Sequence, residues 1–110
     1  MRRGEIWTLS AGGPYTGKPR PALILRNDFY EDLPAVTLCV FTSSDATPDV
    51  GFIRPLICPD DGNGLVKESR LMVDKITTVR KNRLGRRIGH ISARDMRRVE
   101  QVLLVYLGLA

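Results

Sequence analysis

The sequence predicts a curled antiparallel sheet of about five strands followed by a single C-terminal helix. Three features lead there. Short apolar segments alternate with clusters of Gly, Pro, Asn, Asp and Ser, the spacing of a small barrel or sandwich. The hydrophobic period lengthens to that of a helix only after Ser92. The chain has 110 residues, of which 43% are hydrophobic. That is enough for one real core, read here as a single domain over residues 1–110 that gains from dimerisation.

Glu5 to Leu9 alternates apolar and polar residues and reads as a first strand. Ser10 to Pro19 is dense in Gly and Pro and forms a loop. Pro21 to Leu25 is apolar on both faces, a strand covered on both sides, and Pro21 fits at its start, where no ladder N–H is required. Val36 to Phe41 is a third strand of the same buried kind, broken by Thr42-Ser43-Ser44-Asp45. A fourth strand is expected around Phe52 to Cys58, ahead of the turn Pro59-Asp60-Asp61-Gly62-Asn63-Gly64. Leu71 to Val79 reads as one long fifth strand, with a short extended piece at Ile88 to Ile91. Ser92 caps a helix whose Met96, Val99, Leu103 and Tyr106 recur on one face, joined by Val102 and Leu107, and Gly108 stops it.

Composition narrows the function classes. No apolar run is long enough for a membrane helix, and no apolar leader follows Arg2 and Arg3, so the cytosol is the expected compartment. Cys39 and Cys58 both lie in apolar stretches and read as small buried hydrophobes, not as a disulfide or metal pair. With one histidine and no Cys/His cluster, a zinc-type site is not expected. Net charge is +5, and its placement is uneven: through Val79 the basic and acidic residues nearly balance, whereas Arg80 to Arg98 holds eight Lys/Arg against Asp95 alone. Such a run is either a solvated face or a footprint for phosphates or an acidic protein segment.

Five segments together resemble one family. They are Arg3-Gly4-Glu5-Ile6-Trp7, Arg20-Pro21-Ala22-Leu23-Ile24-Leu25, Val40-Phe41-Thr42-Ser43, Ser69 to Ile76, and Ile88-Gly89-His90-Ile91-Ser92 with the helix ending Leu107-Gly108-Leu109. Their content and order are similar to those of the MazF/PemK toxins of type II toxin–antitoxin systems. The resemblance implies a homodimer with the SH3-like small antiparallel β-barrel of the MazF/PemK/CcdB type. It implies metal-independent, sequence-specific cleavage of single-stranded RNA without a cofactor. It also implies silencing by an acidic antitoxin, with the toxin–antitoxin complex able to bind operator DNA.

Carried over residue by residue, the resemblance makes Arg20, Thr42 and Asp74 the catalytic candidates and Tyr15, Lys18, Ser43 and Lys75 the RNA contacts. Several positions depart from the family pattern. Tyr15 stands where some relatives have a glutamate, Lys75 where a glutamine is usual, and Met72 where one branch has an arginine. The first-loop histidine of that branch has no counterpart, since His90 lies elsewhere.

The chemistry suits these residue types. RNA supplies its own nucleophile in the 2′-hydroxyl, so a ribonuclease needs in-line geometry, donors for the phosphoryl oxygens and a route for two protons. A guanidinium at position 20 donates to the developing charge but is a poor base near neutrality. Thr42 offers a hydroxyl, and Asp74 a proton acceptor if it faces the groove. Taken singly, Arg20 also reads as a surface arginine lying over apolar strand, Thr42 as a hydroxyl bonding its own backbone, and Asp74 beside Lys75 as an exposed pair. Trp7 reads as core. Two rival functions stay open at this level. One is a gyrase poison of the same fold, which would use a tryptophan near the C-terminus, where this chain has none after Trp7. The other is a passive basic module that holds RNA or an acidic peptide without cutting it.

Overall fold

The computed structural model describes residues 1–10, 17–44 and 51–110. Seven strands run through the described residues: β1 (Glu5–Leu9), β2 (Arg20–Ile24), β3 (Ala35–Ser43), β4 (Leu56–Ile57), β5 (Ser69–Leu71), β6 (Thr77–Arg80) and β7 (Leu84–His90), before the helix α1 (Ala93–Tyr106). The pairing is antiparallel throughout, and five of the strands lie in the order β6-β3-β2-β1-β7. Only the single 3₁₀ turn Lys81–Arg83 joins the two outer strands of that path. Laid flat, five strands would hold their outer members about 19 Å apart, whereas four residue steps reach at most about 14 Å. The sheet must therefore curl until its edges approach. They meet at the turn with no ladder between them, so the barrel stays open.

The long strand β3 is the frame. One side pairs with β2 through Ala22↔Val40, Leu23↔Cys39 and Ile24↔Leu38. The other side is shared: its first half pairs with β6 and its last third with β5. Alternation along β3 sends Cys39 and Phe41 to one core and Val36 and Leu38 to another. The first core lies under α1 and includes Ile6, Leu23, Ile57, Leu71, Val73, Val99 and Val102. The second lies on the opposite face of the sheet and joins Leu9, Ala22, Ile24, Val79 and Leu84, with Trp7 half-buried against it.

The expected fifth strand, Leu71 to Val79, is in fact two strands separated by the 3₁₀ turn Val73–Lys75. The ladder explains the break. Phe41 faces Leu71 and Leu38 faces Thr77, so the second chain spends three residues more than β3 over this stretch, and the surplus is looped out. The expected fourth strand shortens to Leu56–Ile57 after a 3₁₀ turn at Gly51–Ile53, and the piece expected at Ile88 to Ile91 is the end of the seven-residue β7.

The helix begins as its sequence predicts: the Ser92 hydroxyl accepts from the Asp95 N–H at 3.1 Å. Its apolar stripe is buried only as far as Val102. Tyr106 and Leu107 are exposed because the last turn runs past the edge of the core. Cys39 is buried, and burial together with the charge of Asp74 pushes its thiol up to about 12. Cys58 is exposed, contrary to its expected burial, and both cysteines are free.

A tight turn at Asp60–Leu65 is locked by the fully buried Asn63. Its side-chain oxygen accepts from the Leu65 N–H and its amide donates to the Cys58 carbonyl. The turn sits directly on β7. A Cβ on Gly64, where φ is +73°, would come 2.1 Å from the Ile88 carbonyl oxygen. Gly64→Ala should therefore cost about 2–4 kcal/mol, lowering the thermal midpoint by roughly 10 °C or more. An unchanged melting curve would show that the turn is not seated there.

Candidate active site

Where β3 leaves β2 to pair with β5, the two strands splay and a wedge opens between them. The β2–β3 register, continued by one alternation beyond Ala22↔Val40, sets Arg20 opposite Thr42 on one sheet face. Both residues line the resulting cleft, whose volume is about 590 Å³. Lys18 and Ser43 line it too, so four of the residues singled out in the sequence come together here. Arg20 and Lys18 are exposed, and Thr42 is half-buried.

The opposite wall runs from Leu65 to Ser69. It brings Lys67 and Ser69 to the cleft and an almost fully exposed Val66 to its lip. Sequence reading did not find Lys67, because nothing in its neighbourhood departs from an ordinary polar loop. The wall is held by the Asn63 turn at one end and by the β3–β5 ladder at the other, where Ser43 faces Ser69 and the Ser44 N–H donates to the Glu68 carbonyl. Among the described lining residues the ionisable side chains are Lys18, Arg20 and Lys67, all cationic, beside the hydroxyls of Thr42, Ser43 and Ser69. Such a lining attracts and hydrogen-bonds phosphate.

Asp74 is placed differently. It rides on the looped-out turn and is not among the residues lining the cleft. Both its oxygens are taken by Arg54, with Nε and Nη2 each at 2.9 Å in a two-pronged pair that is largely buried. The Arg54 hydrogen bonds hold the Asp74 carboxyl below its ordinary value against the opposing effect of burial, with its own backbone N–H and Lys75 adding to the lowering. A carboxylate so engaged is a weak proton acceptor. Arg54 gave no signal in the sequence, since its partner is twenty residues away. Lys75 borders a smaller hollow of about 220 Å³ beside the cleft, which also reaches Arg20 and Arg83. Tyr15 lies outside the described residues.

The basic C-terminal run does not form the cleft. Arg87 pairs with Glu5 at 3.6 Å, Arg98 with Asp95 at 2.9 Å, and Lys81 donates to the Glu31 carbonyl. The cations of the cleft come instead from the part of the chain whose charges nearly balance.

A family described as the PemK-like, MazF-like toxin of type II toxin–antitoxin systems matches residues 2–107. The chain belongs to this toxin family. It is 46% identical over 110 residues to a probable endoribonuclease MazF of Mycolicibacterium smegmatis, covering 100% of this chain and 99% of that one. Endoribonuclease MazF9 of Mycobacterium tuberculosis is 28% identical over 116 residues, covering 99% of this toxin and 98% of the relative. Among solved structures, a mycobacterial endoribonuclease in complex with its cognate antitoxin superposes with a TM-score of 0.81 at 23% identity, covering 100% of this chain and 97% of that one. A MazE–MazF structure from Deinococcus radiodurans gives 0.78 at 18% identity, covering 100% and 98%. These likenesses show that the toxin has the MazF fold.

The Arg54–Asp74 pair carries a pH signature. Because the folded-state value of Asp74 is depressed, its contribution to stability is fully present above the ordinary aspartate value of about 3.9 and is lost as pH falls through the folded value. Asp74→Asn should lower stability at pH 7 by about 1.5–3 kcal/mol and flatten the acid limb of the stability profile below about pH 4. Urea titrations across pH that gave parallel profiles for the two proteins would contradict this.

Proposed function

We propose that this toxin is a metal-independent endoribonuclease that cleaves single-stranded RNA by attack of the 2′-hydroxyl on the adjacent phosphate. The observation that carries the proposal is the shared, open cleft of Arg20 and Thr42, with cations and hydroxyls as its polar lining. The activity named for the 46% identical relative supports it.

In the proposed reaction the 2′-oxygen forms a bond to phosphorus while the bond to the 5′-oxygen breaks. The 2′ proton passes to solvent water and the 5′-oxygen gains one, giving a 2′,3′-cyclic phosphate and a 5′-hydroxyl. Arg20 donates to the non-bridging oxygens as charge builds there, a stabilisation strengthened where the cleft excludes water. It remains protonated throughout, and the leaving oxygen takes its proton from water in Arg20's hydration shell. The Thr42 hydroxyl holds the phosphate or the 2′-oxygen in line. Lys18, Ser43 and Lys67 bind flanking phosphates, and Lys75 extends that path beside Arg20. Asp74 acts at a distance, through Arg54, by fixing the turn that carries Lys75.

The same surface explains how the toxin would be restrained. A cationic cleft is complementary to an acidic, largely disordered antitoxin laid across it, and the cytoplasm is the compartment in which both would meet RNA. We assign the active form to a homodimer and any operator binding to the toxin–antitoxin complex.

The test is incubation of the purified protein with long single-stranded RNA in EDTA. Discrete fragments ending in a 2′,3′-cyclic phosphate are expected, with no cutting where the nucleotide 5′ to the scissile bond lacks its 2′-hydroxyl. Arg20→Ala should lower the cleavage rate by about 10²–10³. Intact RNA under these conditions would remove the proposal. For an uncleavable analogue, Lys67→Ala should weaken binding and reduce the salt slope of log K by about 0.7. An unchanged slope would exclude Lys67 from phosphate contact.

A further inference from the structure

At the end of the β2–β3 pair remote from the cleft lies a second hollow, of about 360 Å³, lined in part by Arg26, Tyr30, Leu33, Thr37 and Thr78. Thr37 precedes Thr42 by five positions on β3, about 17 Å along the strand, and the two hollows share no lining residue.

The Arg26 side chain is 8% exposed. Its Nη2 donates to the Met1 carbonyl, while Nε and Nη1 find no hydrogen-bond acceptor among the described residues. Its nearest carboxylate, Asp28, is 3.7 Å away and is already engaged by Arg2 and by the backbone N–H of Arg3. A buried guanidinium with unused donors is costly until an acceptor arrives. Beside it the hydroxyls of Thr37 and Thr78 bond to each other at 2.7 Å, and in such a pair the accepting hydroxyl keeps a proton of its own to offer. The rim is apolar: Tyr30 and Leu33 are half exposed, and Phe29, 83% exposed, packs edge-on against Tyr30.

We propose that this hollow docks a segment of a partner polypeptide in which a single carboxylate is flanked by apolar residues, the carboxylate seated at Arg26 and the threonine pair and its apolar neighbours resting on Phe29, Tyr30 and Leu33. The chemistry selects a carboxylate monoanion. A purely apolar occupant would leave the Arg26 donors unused, and a phosphate dianion would be repelled by Asp28 and by Glu31, which lies 3.7 Å from Arg2. The site is independent of the nuclease reading, and a partner held here leaves the cleft open.

The experiment is a titration of ¹⁵N-labelled protein with acetyl-Leu-Glu-Leu-amide and, separately, with the Gln counterpart. The Glu peptide should shift amides in residues 26–37 and 77–79 and bind roughly ten-fold tighter or more than the Gln peptide. Thr78→Val should weaken that response and the exposed-site variant Leu33→Glu should abolish it, and both should still cleave RNA at the wild-type rate. Equal responses to the two peptides, shifts confined to residues 17–20 and 42–43, or no shifts at millimolar peptide would each overturn the proposal.

Discussion

The divided pairing of β3 is the constraint on which the molecule depends. One strand serves β2 along one edge and both β5 and β6 along the other, so it cannot stay flat against all three. The bend opens the wedge between Arg20 and Thr42, and the turn that absorbs the surplus residues carries Asp74 and Lys75 out of the ladder. Cleft and turn are thus two results of the same mismatch. The curl is completed from the other side by the short β6–β7 link, which draws the outer strands together.

Electrostatics divides the charged residues into those that bind and those that build. Arg54 and Asp74 form a largely buried two-pronged pair whose removal on one side leaves an uncompensated charge, so its value is in holding a turn. Glu5 behaves similarly. Burial would raise its carboxyl, yet hydrogen bonds from the Arg2 N–H and the Trp7 indole, with the charge of Arg87, hold it below the ordinary range. Arg3 ties α1 to the sheet by pairing with Glu100 at 2.7 Å and donating to the Leu25 carbonyl. The cations of the cleft, by contrast, face open space, where their charge remains available to a polyanion.

Much of this was legible in the chain itself. Alternation located β1, and unbroken apolar runs located β2 and β3, to within two residues at either end, because each sends side chains into the cores on one or both faces of the sheet. The Ser92 cap marked the start of α1. What the pattern could not show were features decided by partners distant in sequence. The apolar positions Leu71, Val73 and Val79 are compatible with one unbroken strand, and only the demand of β3 reveals the break. Lys67 and Arg54 matter because of what they face, Thr42 across the cleft and Asp74 across the core, and neither relation leaves a local trace. The dense basic run was conspicuous, yet half of it, Lys81, Arg83, Arg87 and Arg98, is spent on structural contacts, whereas the sparse cations at positions 18, 20 and 67 converge.

The looped-out turn at Val73–Lys75 also changes which side of the sheet its chain feeds. Leu71 and Val73 belong to the core beneath α1, but Val79, of the same odd parity, belongs to the core on the reverse. An odd surplus inverts the alternation, and an even one would preserve it. The segment therefore tolerates changes of composition far better than changes of length. Exchanging a side chain here is a local event, whereas losing or gaining one residue would turn β6 over and take Val79 out of the core on the reverse face.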